Sequence, residues 1–375
     1  MIHFLSKAVP SAIREKTVLL RLDFNTEDDW RMQAVIPTIK FLLTNNCKIV
    51  IVSHKGRPHG FEKKLSLRKN AAHLTALLGK KSIAGGGVMF VRDFKFAAIR
   101  SLVASAPART IVLLDNLRFI PGEEKNDPKF AKQLASLADI YVNDAFAVCH
   151  RANASVTAIT RFLPSYAGFE LEQEIVSLGR AMKNPKHPFV LILGGAKAED
   201  KLGVITFFEN KADWFLLGGG PANTILKMNG FDVKQSVQDN DPASVAQLAK
   251  MMKSQRTRNR VVLPLDFVWG AKAILDFGPK TLALFSKKIS TAGTILWSGP
   301  LGLIEKKKYA KGSIAIARAI ARNKKAFSVA GGGETVMFLK HYHLDKKFSF
   351  VSTGGGAMVD FLGGTILPGI KALER

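Results

Sequence analysis

The chain is short of cysteine, of acid and of uninterrupted apolar sequence, and each shortage removes a class of function. Only two cysteines, Cys47 and Cys149, occur in 375 residues. Their separation matches no metal or redox spacing, and so few thiols point to a reducing cytoplasm rather than a disulfide-stapled scaffold. No apolar run approaches the roughly 20 residues that span a bilayer, so no membrane association is expected. The opening MIHFLSKAVPSAIREK lacks the apolar core of a secretory signal, and the closing KALER carries no lipidation or sorting motif. A phosphate-binding G-x-x-x-x-G-K-[ST] loop is missing, as is the G-x-G-x-x-G turn of dinucleotide enzymes. The protein-kinase set fails for want of a catalytic H-R-D.

Acid is scarce: 30 acidic side chains face 55 basic ones, a net charge of +25. By halves the excess is even, +12 over residues 1–168 and +13 over 169–375, with no basic tail or single dense block. Such a field speeds encounter with phosphate-bearing small molecules and attracts nucleic acid without specificity. The basic residues are not interleaved with aromatic stacking platforms, so no specific nucleic-acid partner is expected. At this length, with 47% hydrophobic residues, two or three domains can each bury a core.

What is present is a regular alternation of strand-like runs and helical windows. The first half holds TVLLRLD (17–23), KIVIVSH (48–54), VMFV (88–91), TIVLLDN (110–116) and IYVND (140–144). Helical windows lie between them at 36–46, 65–79 and 127–139, the last opened by Asp127-Pro128. Alternation of this kind implies parallel sheets covered on both faces, an α/β fold of two Rossmann-like three-layer lobes. The helical window FELEQEIVSLGRAMK (169–183), ending at Asn184-Pro185, is the expected connector between them.

The two halves end their strands differently. In the second, five apolar runs break into glycine: VLILGGAK, FLLGGGPA, TILWSGP, FSVAGGGET and FVSTGGG. Glycine at a strand's carboxyl end exposes backbone N–H groups and helix N-termini that can hold an anion. In the first, strand ends carry charge: RLDFN (21–25), SHKGRP (53–58), DNLRF (115–119) and NDAFAVCHRANAS (143–155). These gather Arg21, Arg31, His54, Arg57, Arg118 and Arg151 near one edge, with Asp23 and Asn25. Guanidinium forks bind phosphate and carboxylate in pairs, and clustered cations without an anion repel. Arg21, inside a strand, has the alternative of pairing with an internal carboxylate, and His54 that of a satisfied strand-end histidine. Cys149 reads as packing.

Taken in order and over nearly the whole length, these motifs resemble the phosphoglycerate kinase family. The resemblance implies phosphoryl transfer between 1,3-bisphosphoglycerate with ADP and 3-phosphoglycerate with ATP, in line, on hinge closure, with Mg²⁺ accompanying the nucleotide. It implies a 3-phosphoglycerate lobe over 1–168, a hinge helix over 169–184, a nucleotide lobe over 185–360, and a segment 361–375 returning toward the first lobe. Arg21, Asp23, Asn25, Arg31, His54, Arg57, Arg118 and Arg151 would hold the substrate. Gly195, Lys197, Lys201, Gly218, Gly219, Gly220, Ser298, Pro300, Glu305, Gly331, Gly332, Gly333, Glu334 and Thr335 would hold the nucleotide, with Gly354–Gly356 near the moving phosphate. Arg31, Lys197, Gly333 and Gly356 would act in catalysis, Glu334 would sit near Mg²⁺, and a cytoplasmic monomer is expected.

The chain departs from the family's pattern at several positions. Glu334 replaces the usual aspartate, Ser298 an asparagine, and Lys55 the leucine of SHLGRP; Pro221 and Asn223 replace residues that line the nucleotide pocket. GTAHRAH becomes AVCHRAN, and the stretch between Asn25 and Arg31 is shorter by most of a hairpin. The alternative these departures leave open is an impaired homologue that only binds nucleotide or nucleic acid, but no proposed arginine or lysine is lost.

Overall fold

Buried β-branched and leucine-rich runs make the inner strands, and their nearly continuous burial shows that both sheet faces are covered there. The computed structural model describes residues 1–26, 29–197 and 199–374, the side chain of Asp200 excepted. The chain divides into two compact units, Met1–Ile175 with Ile366–Arg375, and Val176–Thr365.

In the first unit, β1 (Thr17–Arg21), β2 (Lys48–Val52), β3 (Met89–Val91), β4 (Ile111–Leu114), β5 (Ile140–Asn143) and β6 (Ser165–Ala167) form a parallel sheet of order β3-β4-β2-β1-β5-β6. Register pairs Leu19 with Val50 on one side and Tyr141 on the other. The core gathers Val18, Leu20, Ile49, Ile51, Leu113 and Val142 from the sheet with Ile39, Leu42 and Leu74 from the covering helices. The expected helices appear as Ile36–Thr44, Arg68–Leu78 and Pro128–Ala135, the last capped by Asp127, which accepts from the Lys129 amide at 2.8 Å. Glu27 and Asp28, in the shortened stretch before Arg31, lie outside the described residues. Within this unit Ile2 bridges Glu374, and the Gly369 amide donates to the Cys149 carbonyl at 2.8 Å.

In the second unit, β7 (Phe189–Leu193), β8 (Trp214–Leu217), β9 (Val261–Val262), β12 (Thr294–Ser298), β13 (Phe327–Gly331) and β14 (Phe350–Val351) form a parallel sheet of order β14-β13-β12-β7-β8-β9. A separate antiparallel hairpin pairs β10 (Phe267–Trp269) with β11 (Ile274–Phe277). Every glycine-ended run is a strand of this sheet. The expected connector is the helix Phe169–Lys183, which passes from the first unit into the second at Ile175–Val176.

The ends of β7 and β12 lie so close that side chains are excluded. The Gly194 amide donates to the Ser298 carbonyl at 3.0 Å and the Gly195 amide to the Pro300 carbonyl at 2.7 Å. A Cβ on Gly194 would stand 2.1 Å from the Pro300 oxygen, a backbone atom that cannot swing away. Gly194→Ala is therefore expected to destabilise the fold by more than about 3 kcal/mol. Chemical denaturation checks this; an unfolding midpoint within error of wild type would show that the two turns can part.

Candidate functional site

Each unit carries a polar site at the carboxyl edge of its sheet. In the first, β2, β1 and β5 lie side by side with β4 next, so the residues after these strands share one edge. Asp23, just past β1, is the hub. Arg31 Nη1 donates to Asp23 Oδ2 at 2.6 Å, the Asn25 amide donates to Oδ1 at 2.9 Å, and His54 Nδ1 stands 3.7 Å from Oδ1. Burial pushes the Asp23 carboxyl up, but His54, Arg31, the Asn25 amide and Arg21 together hold it below the usual value.

Arg21 is enclosed. Its Nε donates to Ser155 Oγ at 2.9 Å, Nη1 donates to the Leu22 carbonyl, and Nη2 meets His54 Nδ1 at 3.2 Å. Ser155 Oγ donates in turn to Glu123 Oε1 at 2.6 Å. Arg21 thus reaches a buried carboxylate through one hydroxyl and supports the edge from behind. His54 is also buried, and burial depresses its imidazole well below the ordinary value. Asp23 pulls the other way, and Arg21, Arg118 and Arg151 push it down further.

The outer residues present cations. Arg118 donates to the Gly56 carbonyl and pairs with Glu124 at 3.2 Å. Its guanidinium pKa is lowered by burial, Arg151 and Arg21 against the pull of Glu124 and Glu123. Arg151 is half-buried, with Nε on His150 at 3.1 Å. Arg57 is exposed and makes no hydrogen bond or ion pair with a described residue, and the buried Nε of Arg31 has no acceptor among the described residues. Asn25 is exposed, its Oδ1 accepting from the Gly56 amide at 2.8 Å. Asn116 was not singled out by sequence, yet its side chain ties Lys55, Leu65 and Arg118 into one frame. Its place inside DNLRF was the available signal. Cys149 is buried and its thiol is pushed up to about 12 by burial, which leaves it unreactive.

In the second unit a polar cleft of about 540 Å³ opens among the glycine turns. Lys197, Lys201, Glu334 and Asp360 supply its charge, and Gly195, Ser298, Gly332, Gly333, Thr335 and Gly356 its backbone and hydroxyl lining. Lys201 Nζ donates to the Lys197 carbonyl at 3.2 Å. Ala198, between the two lysines, lies outside the described residues. Gly332 has φ +91°, a backbone state that a side chain would strain, and Gly333 and Gly356 face open space. Thr335 is buried, its Oγ1 accepting from the Gly299 amide at 2.9 Å, so it braces β12 against the following helix Gly333–His341.

A second, more apolar compartment of about 140 Å³ shares Gly195, Ala196 and Glu334 with the first. Gly219, Gly220, Pro300, Leu301, Phe277 and Glu305 are among its walls. The pair suits a ligand with a charged tail and a flat apolar end. Gly218 and Gly331 are not in either lining; they pack behind it against Leu301 and Met358. Sequence reading passed over Asp360 and Asp276. Asn223 is buried in the apolar compartment, its Nδ2 donating to the Val237 carbonyl at 2.8 Å. Asp276-Phe277-Gly278 does spell the protein-kinase D-F-G. Here, however, the Asp276 carboxylate accepts from the Gly312 and Phe277 amides, and burial lifts it to about 6 despite those two bonds. The tripeptide is a structural tie.

Folding with His54 neutral has a pH signature. The folded imidazole titrates below its unfolded value near 6.5, so its contribution to stability is present above about pH 6.5 and declines as pH falls through that value. The stability difference between wild type and His54→Gln should therefore be smaller at pH 5 than at pH 7.5. Urea titrations at both values check this, and an unchanged difference would mean that the folded ring titrates normally.

Comparison with known proteins places these features in a lineage. The family model described as phosphoglycerate kinase matches residues 9–365. A phosphoglycerate kinase of Dictyoglomus turgidum is 39% identical, with 96% of each chain covered, and one of Acidobacterium capsulatum is 40% identical, with 97% of each covered. Among solved structures, phosphoglycerate kinase from Coxiella burnetii aligns with a TM-score of 0.85 at 31% identity over 100% of this chain and 99% of its own. That from Pyrococcus horikoshii aligns with a TM-score of 0.86 at 28% identity over 100% and 98%.

Proposed function

The chain belongs to the phosphoglycerate kinase family, and from that premise we propose how its own residues divide the reaction. The first unit binds the phosphoglycerate, whose carboxylate is the phosphoryl acceptor. The second binds ADP or ATP in the joined polar and apolar compartments. The observation that carries this reading is the unspent cationic capacity of the first site. Among the described residues Arg57 lacks a partner and the buried Arg31 Nε lacks an acceptor, while Arg118 is crowded by Arg151 and Arg21. Such a cluster is completed by a small ligand with two anionic ends.

A carboxylate is already a nucleophile at neutral pH and needs no general base. Catalysis reduces to positioning and to neutralising charge as the phosphoryl group moves. Asp23 aims the Arg31 guanidinium toward the transferring group. Arg21 and Asn116 hold the frame. Lys197 and Lys201 bind nucleotide phosphates beside the amides of Gly333 and Gly356, and Glu305 accepts from ribose hydroxyls. The reaction demands that the two substrates meet end to end with water excluded, since an acyl phosphate hydrolyses readily.

The donor set fits Mg²⁺ arriving with the nucleotide. Among the described residues no cluster of three or more ligating side chains could cage a metal, while Glu334 offers one exposed carboxylate at the junction of the two compartments. Bound there, the ion would neutralise charge on the phosphate oxygens.

Three measurements test the reading. Purified protein should form ATP from 1,3-bisphosphoglycerate and ADP in a coupled assay; no turnover with either Mg²⁺ or Mn²⁺ would end the proposal. Arg31→Ala should lower kcat by about 10²–10³-fold while KM for the phosphoglycerate stays within roughly tenfold. Glu334→Ala should raise the Mg²⁺ concentration for half-maximal rate by about tenfold, and Glu334→Asp should restore most of it.

A further inference from the structure

The even split of charge between the two halves conceals a concentration. Between Pro279 and Phe327 the chain carries eleven basic residues and a single acid, Glu305. This stretch builds the helix Pro279–Ser290, β12, the helix Lys311–Arg322 and the turn into β13, and the two helices pack side by side. Lys311, Arg318 and Arg322 share one exposed stripe of the second helix, and Lys287 is exposed on the first. None of the four makes an ion pair with a described residue.

The carboxyl ends of these helices enclose a hollow of about 430 Å³ lined by Ser286, Ser290, Arg322, Lys324 and Lys325. Its corner is rigid. Asn323 Nδ2 donates to the carbonyls of Ile289 and Ala292, and its Oδ1 accepts from the Lys325 and Ala326 amides. The Ile289 and Ala292 carbonyls are therefore already satisfied, and the cations on this turn stay exposed. The hollow adjoins the amino ends of β12 and β13, Thr294 and Phe327, whereas the nucleotide cleft lies past their carboxyl ends, Ser298 and Gly331. It is a different surface of the same unit.

We propose that this face docks the phosphate backbone of duplex nucleic acid without reading its sequence. Arg318 and Arg322 stand one helical turn apart, about 5–6 Å, close to the separation of neighbouring phosphates along one strand. Single strands are bound through aromatic platforms, and here the aromatics are covered. Lys288 Nζ sits 3.1 Å from the Trp214 ring centroid, Arg180 lies over Phe327 at 4.0 Å, and Phe285 is buried. A cationic face with a rigid corner and its aromatics covered fits a duplex.

Fluorescence anisotropy with a labelled 20-base-pair random duplex, titrated across NaCl concentrations, tests the assignment on the full chain. Binding should weaken with salt with a log–log slope of about −3 to −5. The combined variant Lys287→Glu, Arg318→Glu, Arg322→Glu should weaken binding at least about tenfold and flatten that slope, with kinase turnover and thermal midpoint retained. The glutamine triple at the same positions should show a smaller loss in the same direction. A control reversal of exposed lysines in the first unit, Lys40→Glu, Lys129→Glu and Lys132→Glu, should cost less than about threefold. Equal weakening by the control, tighter binding of a single strand, or preference for anionic lipid vesicles or inorganic polyphosphate over the duplex would overturn the proposal. So would absence of binding at low salt.

Discussion

Cations held close together with too few acids to neutralise them are the constraint on which the first unit's edge depends. Asp23 is the carboxylate at its centre, and the side chains around it are arranged to share it. Arg31 takes the short contact, His54 stays neutral beside it, and Arg21 looks inward to Ser155 and Glu123. A bound anion would relieve the remaining repulsion, so the folded protein carries an incomplete electrostatic set that its ligand completes. Affinity and local stability are linked there by the same charges.

The second unit meets the same problem with backbone instead of side chains. Its strand ends approach until carbonyls and amides bond across turns, as between Gly195 and Pro300, and the space left over is lined by amides and open glycine. Backbone donors hold an anion without carrying net charge, so they do not repel one another when the cleft is empty. Among the described residues only Lys197 and Lys201 add full charge on the cationic side, and Glu334 and Asp360 offset it.

Much of this was legible in the sequence because it depends on local order: apolar runs, the residue that ends each run, and the helical spacing between. The strands that escaped notice are those with little hydrophobic signal. β6 has three residues, β9 two, and the β10–β11 hairpin is only partly buried over most of its length. Arg21 illustrates the deeper limit. Its strand position was plain, but its partner Ser155 lies 134 positions away, and only the fold shows that the side chain turns inward. Asp276 shows the converse, a local signature whose surroundings give it another task.

The chain's path has a consequence for its synthesis. Residues Ile366–Arg375 belong to the first unit although all of the second is made before them. Leu367, Ile370 and Leu373 are buried, and Gly369 meets Cys149 so closely that a Cβ there would lie 2.9 Å from the Cys149 Cα. On the ribosome, then, the half translated first cannot reach its final packing until residues 366–375 have left the exit tunnel, while the half translated second is whole earlier. The order of translation and the order of completion are reversed, and the nascent first unit must stay soluble with its closing piece still unmade.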